Sequence, residues 1–238
     1  MNNIAIIIPT YNELENIEKL IHEIKVNVPE SKIFIVDDSK TQEIGELIKN
    51  KKIKVKYFHR RDESGRGSAV LFGFNEAIKE NKYEIFIEMD ADFSHDPNEL
   101  SRNINFFIRE KLDLLIASRY LPESKIINWG QSRRVLSKLS NFLARNLLNI
   151  KLNDFTNGFR IYSKRAIEKT ILSCGNIGDG FIILSEIIVV IKNNFFQIGE
   201  IKTNFVNRER GESSVNLKLI IASLYGIFKL AIIKKKLK

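Results

Sequence analysis

The first strand-like segment narrows the choice of fold more than any other feature. Ile4-Ala5-Ile6-Ile7-Ile8 is an unbroken apolar, mostly β-branched run, without the alternation of a strand that has one wet face. Such a run belongs to a strand covered on both sides, the kind found in parallel sheets layered with helices. It stops at Pro9, and a helical pattern (Leu14, Ile17, Leu20, Ile21, Ile24) follows. The unit then recurs. Lys32 to Val36 precedes a helix through about Ile48, Ile53 to Phe58 precedes a helix from Gly65 to Ile78, and Glu84 to Met89 precedes a helix opened by Pro97. Asp113 to Ala117 is a fifth strand. The expected fold class is α/β, an open and mostly parallel sheet flanked by helices.

Beyond Tyr120 the rhythm changes. A helix is expected from about Val135 to Leu148, a strand from Phe159 to Tyr162, and helices near Lys164–Leu172 and Phe181–Asn193. Ile198 to Val206 reads as a strand and Asn216 onward as a last helix. No repeat or Pro/Gly linker interrupts the chain, so the organisation reads as one domain over 1–214 and a C-terminal amphipathic basic helix over 215–238. A chain of 238 residues builds a core without a staple. Cys174 is its only cysteine and His22, His59 and His95 are far apart, which excludes an internal disulfide and argues against a structural zinc site.

A net charge of +9 asks for an anionic partner, and the last 32 residues hold eight basic residues against Glu209 and Glu212. Phe34, Phe86, Phe106 and Phe107 occupy core-like positions, so the aromatic stripe of a nucleic-acid module is missing. The start, Met1-Asn2-Asn3, has no basic leader region, and the longest uncharged apolar stretch, Leu219 to Phe228, is about half a membrane span. The expectation is a cytoplasmic protein held peripherally on an anionic membrane surface. In the last segment helical periodicity gathers lysines between Lys218 and Lys236 on one face and Leu219, Ile220, Leu224, Ile227, Leu230 and Ala231 on the other. That pattern suits a helix lying in the interface with its aliphatic side in the lipid, or one packed on the protein's own core.

Ligands of open α/β sheets sit beyond the carboxyl ends of the strands, and acids gather there: Glu13, Asp37-Asp38, Asp90 and Asp92. Asp90 and Asp92 are one residue apart at a strand end, so both carboxylates can reach one hard cation, Mg²⁺ or Mn²⁺, held partly by substrate phosphate. Gly65-Arg66-Gly67 is not a dinucleotide fingerprint, since Val70 stands where the third glycine belongs. There is no Gly-Lys-Ser/Thr phosphate loop and no serine nucleophile elbow.

Four motifs, Pro9-Thr10-Tyr11-Asn12-Glu13, Val36-Asp37-Asp38-Ser39, Gly65-Arg66-Gly67-Ser68-Ala69 and Met89-Asp90-Ala91-Asp92-Phe93-Ser94-His95-Asp96-Pro97, occur in order. Ala117-Ser118-Arg119-Tyr120, Asp154-Phe155-Thr156-Asn157-Gly158-Phe159-Arg160-Ile161-Tyr162 and Val206-Asn207-Arg208-Glu209-Arg210-Gly211-Glu212-Ser213 follow. Over nearly its whole length the chain resembles the polyprenyl-phosphate (dolichyl-phosphate) mannosyltransferases, inverting enzymes of the GT-A fold. The resemblance implies transfer of a hexose, mannose from GDP-mannose, to a polyprenyl phosphate. It implies that Pro9, Tyr11, Glu13, Val36 and Asp38 hold the nucleoside of the nucleotide-sugar donor, and that Asp90, Ala91 and Asp92 hold metal and diphosphate. Arg119 and Arg208 would bind phosphate, with Asp92, Arg119 and Arg208 the catalytic set, and Arg160, Arg210 and Ser214 would meet the acceptor phosphate. A membrane subunit is among the partners it allows; nucleic acid is not. The chain departs from the family pattern in a shortened Asp37-Asp38-Ser39-Lys40-Thr41 loop, in Asn157-Gly158, and in Ser214 where the family has lysine. Other nucleotide sugars (UDP-glucose, UDP-N-acetylglucosamine), a non-lipid acceptor, and a non-catalytic nucleotide-sugar or membrane-binding subunit stay open. A lipid phosphate is already an anion near pH 7, so the lack of an evident His or Cys base agrees with the enzyme reading.

Overall fold

In the computed structural model, which describes residues 3–178, 180–207 and 217–237, the apolar run at the start is β1 (Ile4–Thr10), paired on both sides. Its neighbours are β2 (Lys32–Asp37), reached through α1 (Leu14–Asn27), and β4 (Ile85–Glu88). Between those come α2 (Glu43–Asn50), β3 (Lys56–His59) and α3 (Arg66–Lys79). After β4 follow α4 (Leu100–Arg109), β5 (Leu114–Ser118), β6 (Lys125–Ile127), α5 (Gln131–Leu148), β7 (Arg160–Ser163), α6 (Lys164–Ser173) and α7 (Ile182–Asn193). The chain continues with β8 (Ile198–Lys202), β9 (Asn204–Val206) and α8 (Leu217–Ile233). The seven-stranded sheet has the order β3-β2-β1-β4-β7-β5-β8, with β7 antiparallel to both neighbours and the other pairs parallel. β6 and β9 form a small parallel pair.

The alternation along β1 sends Ala5 and Ile7 to one apolar layer and Ile4, Ile6 and Ile8 to the other, as a doubly covered strand requires. α3 lies close on the sheet because Gly73 carries no side chain; a Cβ there would stand 2.6 Å from Ile7 Cγ2.

Two features differ from the expected arrangement. The strand expected over Ile198–Val206 is broken at Thr203, whose Oγ1 donates to the buried Glu99 at 2.5 Å while the Asn204 N–H donates to the same carboxylate at 3.0 Å. Glu99 thus turns the chain out of the main sheet and into the β6 pair. The aliphatic side of α8, expected in lipid or on the core, is used internally: Ile227 and Leu230 are buried in the main core with α5 and α7. Tyr225, Phe228 and Ile232 are exposed, on the side that carries the exposed Lys229.

Glu186 lies within the apolar run of α7 with no exposed surface. Its Oε2 accepts the Gly175 N–H at 2.9 Å, and Oε1 has no hydrogen-bond partner among the described residues. Burial raises its pKa against the opposing N–H bonds of Gly175 and Asn176 and the charge of Lys229. The folded state therefore holds this proton more tightly than the unfolded chain. Stability is full below the ordinary glutamate value of about 4.3 and declines as pH rises through the raised folded value. Glu186→Gln keeps an acceptor for Gly175 and removes that decline. Calorimetry should find its Tm about 2–4 °C above the parent's at pH 8, with the gap closing near pH 4.

Candidate active site

Strand order reverses between β1 and β4, because the chain winds outward through β2 and β3 and then returns to the far side of β1. Loops at the carboxyl ends of two such strands diverge and leave a crevice. Here the crevice is a cavity of about 1120 Å³, larger than the range of about 300–1,000 Å³ usual for one small ligand. One end is bounded by residues 9–16, Asp38, Ser39 and Ser64; the other by Leu136, Phe181, Ile182 and Ile227 from α5, α7 and α8, with Trp129 and Phe205.

At the first end, Asp37 is wholly buried and serves the fold. Its carboxylate accepts from Thr10 Oγ1 (3.1 Å), Tyr57 OH (2.9 Å) and the N–H and Oγ of Ser39 (3.1 and 2.5 Å). Ser39 Oγ in turn accepts the N–H of Asn12 (2.8 Å), a residue with φ of 57°, and so fixes the turn carrying Tyr11 and Glu13. Asp38 is held bidentately by one edge of Arg60, Nε donating to Oδ1 and Nη2 to Oδ2 at 2.8 Å each. Pro9, Tyr11, Glu13 and Asp38 all line the cavity. Val36 does not: its side chain is buried against α3, with Cγ2 3.1 Å from the position of a Cβ on Gly73.

Beyond β4, Asp90, Ala91 and Asp92 reach the cavity as their strand-end position predicts. Arg66, from the first turn of α3, donates through Nε to Asp90 Oδ1 (2.8 Å) and through Nη1 to Glu88 Oε1 (2.5 Å). Glu88 is fully buried and also accepts Tyr162 OH at 2.7 Å. The guanidinium lies 5.7 Å from the Phe181 ring and against the main chain at Gly158, where a Cβ would stand 1.9 Å from Nη2. Burial alone would lower the Arg66 pKa, but the charges of Asp90 and Glu88 outweigh it and raise it further.

Arg119 also lines the cavity. Its Nε and Nη2 engage Asp154 at 2.7 and 2.8 Å, and Nη2 engages Thr156 Oγ1 at 2.6 Å. Burial alone would raise the Asp154 carboxyl; Arg119 overrides it and holds the group below the usual carboxylate range. Trp129 carries Arg119 at 5.2 Å and Arg133 at 4.4 Å from its ring, so an indole keeps two guanidinium groups together. Tyr120 OH donates to Ser137 Oγ, or accepts from it, at 2.6 Å on the same wall.

Arg160 corrects an expectation. It is fully buried, and Nε, Nη1 and Nη2 donate to the carbonyls of Asn157, Leu184 and Phe155 at 2.8, 2.7 and 2.9 Å. It braces the β7 entry and does not border the cavity. Arg208, Arg210 and Ser214 lie outside the described residues. Sequence reasoning gave no role to Arg66, Trp129, Arg133 or Ser137. The signal for the first was an arginine in the Gly65-Arg66-Gly67 turn facing the Asp90 strand end; for the others, Trp129-Gly130 leading into Arg133-Arg134.

No cluster of three or more His, Cys, Asp or Glu able to close a metal site by itself exists among the described residues. Asp90 and Asp92, both in the cavity lining, suit a hard cation that takes one or two carboxylates and completes its shell with phosphate oxygens.

The close approach at Gly158 yields a test. In Gly158→Ala the guanidinium, the softer partner, gives way and leaves Asp90. We expect a stability loss of about 1–3 kcal/mol in denaturant titration, together with a rate loss that restoring temperature or salt does not recover.

Residues 5–171 match the family described as Glycosyl transferase family 2. The chain is 34% identical over 226 residues to a polyprenol monophosphomannose synthase of Mycolicibacterium smegmatis, covering 93% of this chain and 84% of the relative. It is 33% identical over 218 residues to an undecaprenyl-phosphate mannosyltransferase of Micrococcus luteus, covering 88% and 86%. In fold it is similar to glucosyl-3-phosphoglycerate synthase from Mycobacterium tuberculosis, solved with Mn²⁺, UDP and glucosyl-3-phosphoglycerate: TM-score 0.67 at 15% identity, over 98% of this chain and 80% of that one. The mostly parallel sheet flanked by helices is a GT-A-like glycosyltransferase fold, and the chain belongs to the polyprenyl-phosphate mannosyltransferases of glycosyl transferase family 2.

Proposed function

We propose that the chain moves mannose from GDP-mannose to a polyprenyl phosphate with inversion at the anomeric carbon. The observation that carries this reading is one cavity lined both by strand-end acids (Glu13, Asp38, Asp90, Asp92) and by apolar side chains (Leu136, Ile182 and Ile227 of α5, α7 and α8, with Phe181), with Arg119 and Arg133 in the same lining. A nucleotide sugar suits the first of these sets and the first units of an isoprenoid the second. Arg119 and Arg133, in the same lining, suit a phosphate.

The acceptor oxygen needs no general base, since the lipid phosphate is anionic near pH 7. It forms a bond to C1 of the sugar as the C1–O bond to the diphosphate breaks on the opposite face, and the electron pair leaves with the diphosphate. Asp90 and Asp92 would hold a divalent cation, Mg²⁺ or Mn²⁺, which when bound neutralises charge on the departing diphosphate. Arg66, bonded to Asp90 Oδ1, aims that carboxylate. Arg119, with Nε and Nη2 committed to Asp154 and Thr156, offers Nη1 to a phosphate oxygen. The decisive assay supplies purified protein and a short polyprenyl phosphate with a panel of radiolabelled nucleotide sugars. Label in the lipid fraction from GDP-mannose alone is the expected result, and label from a UDP-sugar would replace the donor assignment.

Surface features support a place of work at a membrane. No helix is long and apolar enough to cross a membrane among the described residues. Val135, Leu139 and Phe142 are exposed along one face of α5, and Tyr225, Phe228 and Ile232 along one face of the adjoining α8. No acid occurs between Glu123 and Asp154 or after Glu212. Exposed apolar side chains on two helices whose charged residues are all lysine or arginine suit the anionic, cytoplasmic face of a bilayer.

Two outcomes test these assignments. Asp92→Ala should lose at least about 100-fold in rate with an unchanged melting curve, as should the parent protein in excess EDTA; full turnover in either would remove the metal from the account. Phe142→Glu/Phe228→Glu should abolish co-sedimentation with phosphatidylglycerol vesicles at low salt while leaving Tm unchanged.

A further inference from the structure

We propose that His95 is a positioning residue, holding the Asp90–Asp92 loop by the main-chain N–H of Asp90 and tying that loop to Arg119. The inference rests on the reading of Asp90 and Asp92 as holders of metal and diphosphate. The ladder between β1 and β4 ends where the Met89 N–H donates to Ile7 at 3.2 Å. The next N–H, that of Asp90, is taken by His95 Nδ1 at 2.9 Å. The turn so closed contains Phe93 with φ of 59°, a conformation unfavourable to a residue with a Cβ, and the N–H of Ser94 bonds back to Asp92 Oδ1 at 3.1 Å.

The protons in this network assign one another. Ala117 O can only accept, so it takes the Asn157 amide nitrogen Nδ2. That turns Asn157 Oδ1 toward His95 Nε2 at 3.0 Å, and an acceptor there places the ring proton on Nε2. Nδ1 is left with a lone pair, which the Asp90 N–H meets. From Asn157 the connection continues: its N–H donates to Asp154 Oδ1 at 3.0 Å, and Asp154 holds Arg119. The imidazole is 1% exposed, stacked on Phe159 at 5.3 Å and edge-on to Phe205 at 5.9 Å, so it has neither room to turn nor water to replace its partners. Three residues, His95, Asn157 and Asp154, thus join the Asp90–Asp92 loop after β4 to Arg119 just after β5.

The test measures Mn²⁺ binding by electron paramagnetic resonance, in the presence of GDP, on the full chain and three variants. His95→Phe keeps the ring packing and removes both hydrogen bonds. His95→Asn places an oxygen near the Nδ1 position and restores the acceptor for Asp90, whereas His95→Gln reaches Asn157 but not the Asp90 N–H. We expect Mn²⁺ affinity to fall about tenfold or more in His95→Phe and His95→Gln, and to stay within about threefold of the parent in His95→Asn. If His95→Phe does not fold, the Asn and Gln variants decide by the same criterion. Parent-like Mn²⁺ affinity in His95→Phe or His95→Gln, or affinity in His95→Asn as weak as theirs, overturns the inference alone. A parent protein that binds no Mn²⁺ overturns the metal reading and this inference together.

Discussion

Everything at the active rim depends on keeping several negative charges at the end of one strand. Glu88 and Asp90 are close enough to share a single guanidinium, and Asp92 follows two positions after Asp90. Like charges 4 Å apart repel by about 4 kcal/mol at the effective dielectric of a protein surface, and by more inside. Arg66 offsets that cost by sitting between two of the three and pairing with both. The arginine reaches them because Gly73 lets α3 lie on the sheet, and it fits because Gly158 leaves its main chain bare. The acidic strand end, the packing of α3 and the entry to β7 are therefore one device.

The fold was legible where burial is written into composition. Apolar runs such as Ile4–Ile8 cannot face water, and each ended at a rim residue that the structure places on the cavity: Pro9, Asp38, Asp90. Direction and neighbours were not legible. Nothing in Phe159–Tyr162 says that β7 inserts antiparallel between β4 and β5, since that is set by pairing with strands distant in sequence. Likewise the break at Thr203 is imposed by Glu99, about a hundred residues earlier. The acids that line the cavity could be read from position, because the loops beyond the strand ends of an open sheet border the crevice, although position did not separate Asp38 from its neighbour Asp37, which is buried in the fold. Cations and hydrogen-bonding side chains could not, because their roles lie in partners: Arg160 resembles a phosphate ligand in sequence, yet three carbonyls converge on it.

Helix α8 shows the same limit from another side. Periodicity identified its aliphatic face, but a periodic face does not say what it meets. Ile227 is both core and cavity wall, and Asn193 Nδ2 donates to the carbonyls of Lys234 and Leu237 at 2.6 Å each, fastening the end of the chain to α7. Lys234 Nζ donates to Leu147 O at 2.8 Å and fastens it to α5. The segment is an internal wall whose outer side is apolar as well.

The bare main chain at position 158 also limits how a sequence of this kind can drift. Arg66 and Gly158 come from different elements, 92 positions apart, and each is tolerable only in the presence of the other: a side chain at 158 expels the guanidinium, and a short residue at 66 leaves a void over the glycine and two uncompensated acids below it. Neutral change at one site is closed until the other has moved. Among relatives these two columns should vary as a pair, with a residue larger than glycine at 158 appearing where 66 is no longer arginine.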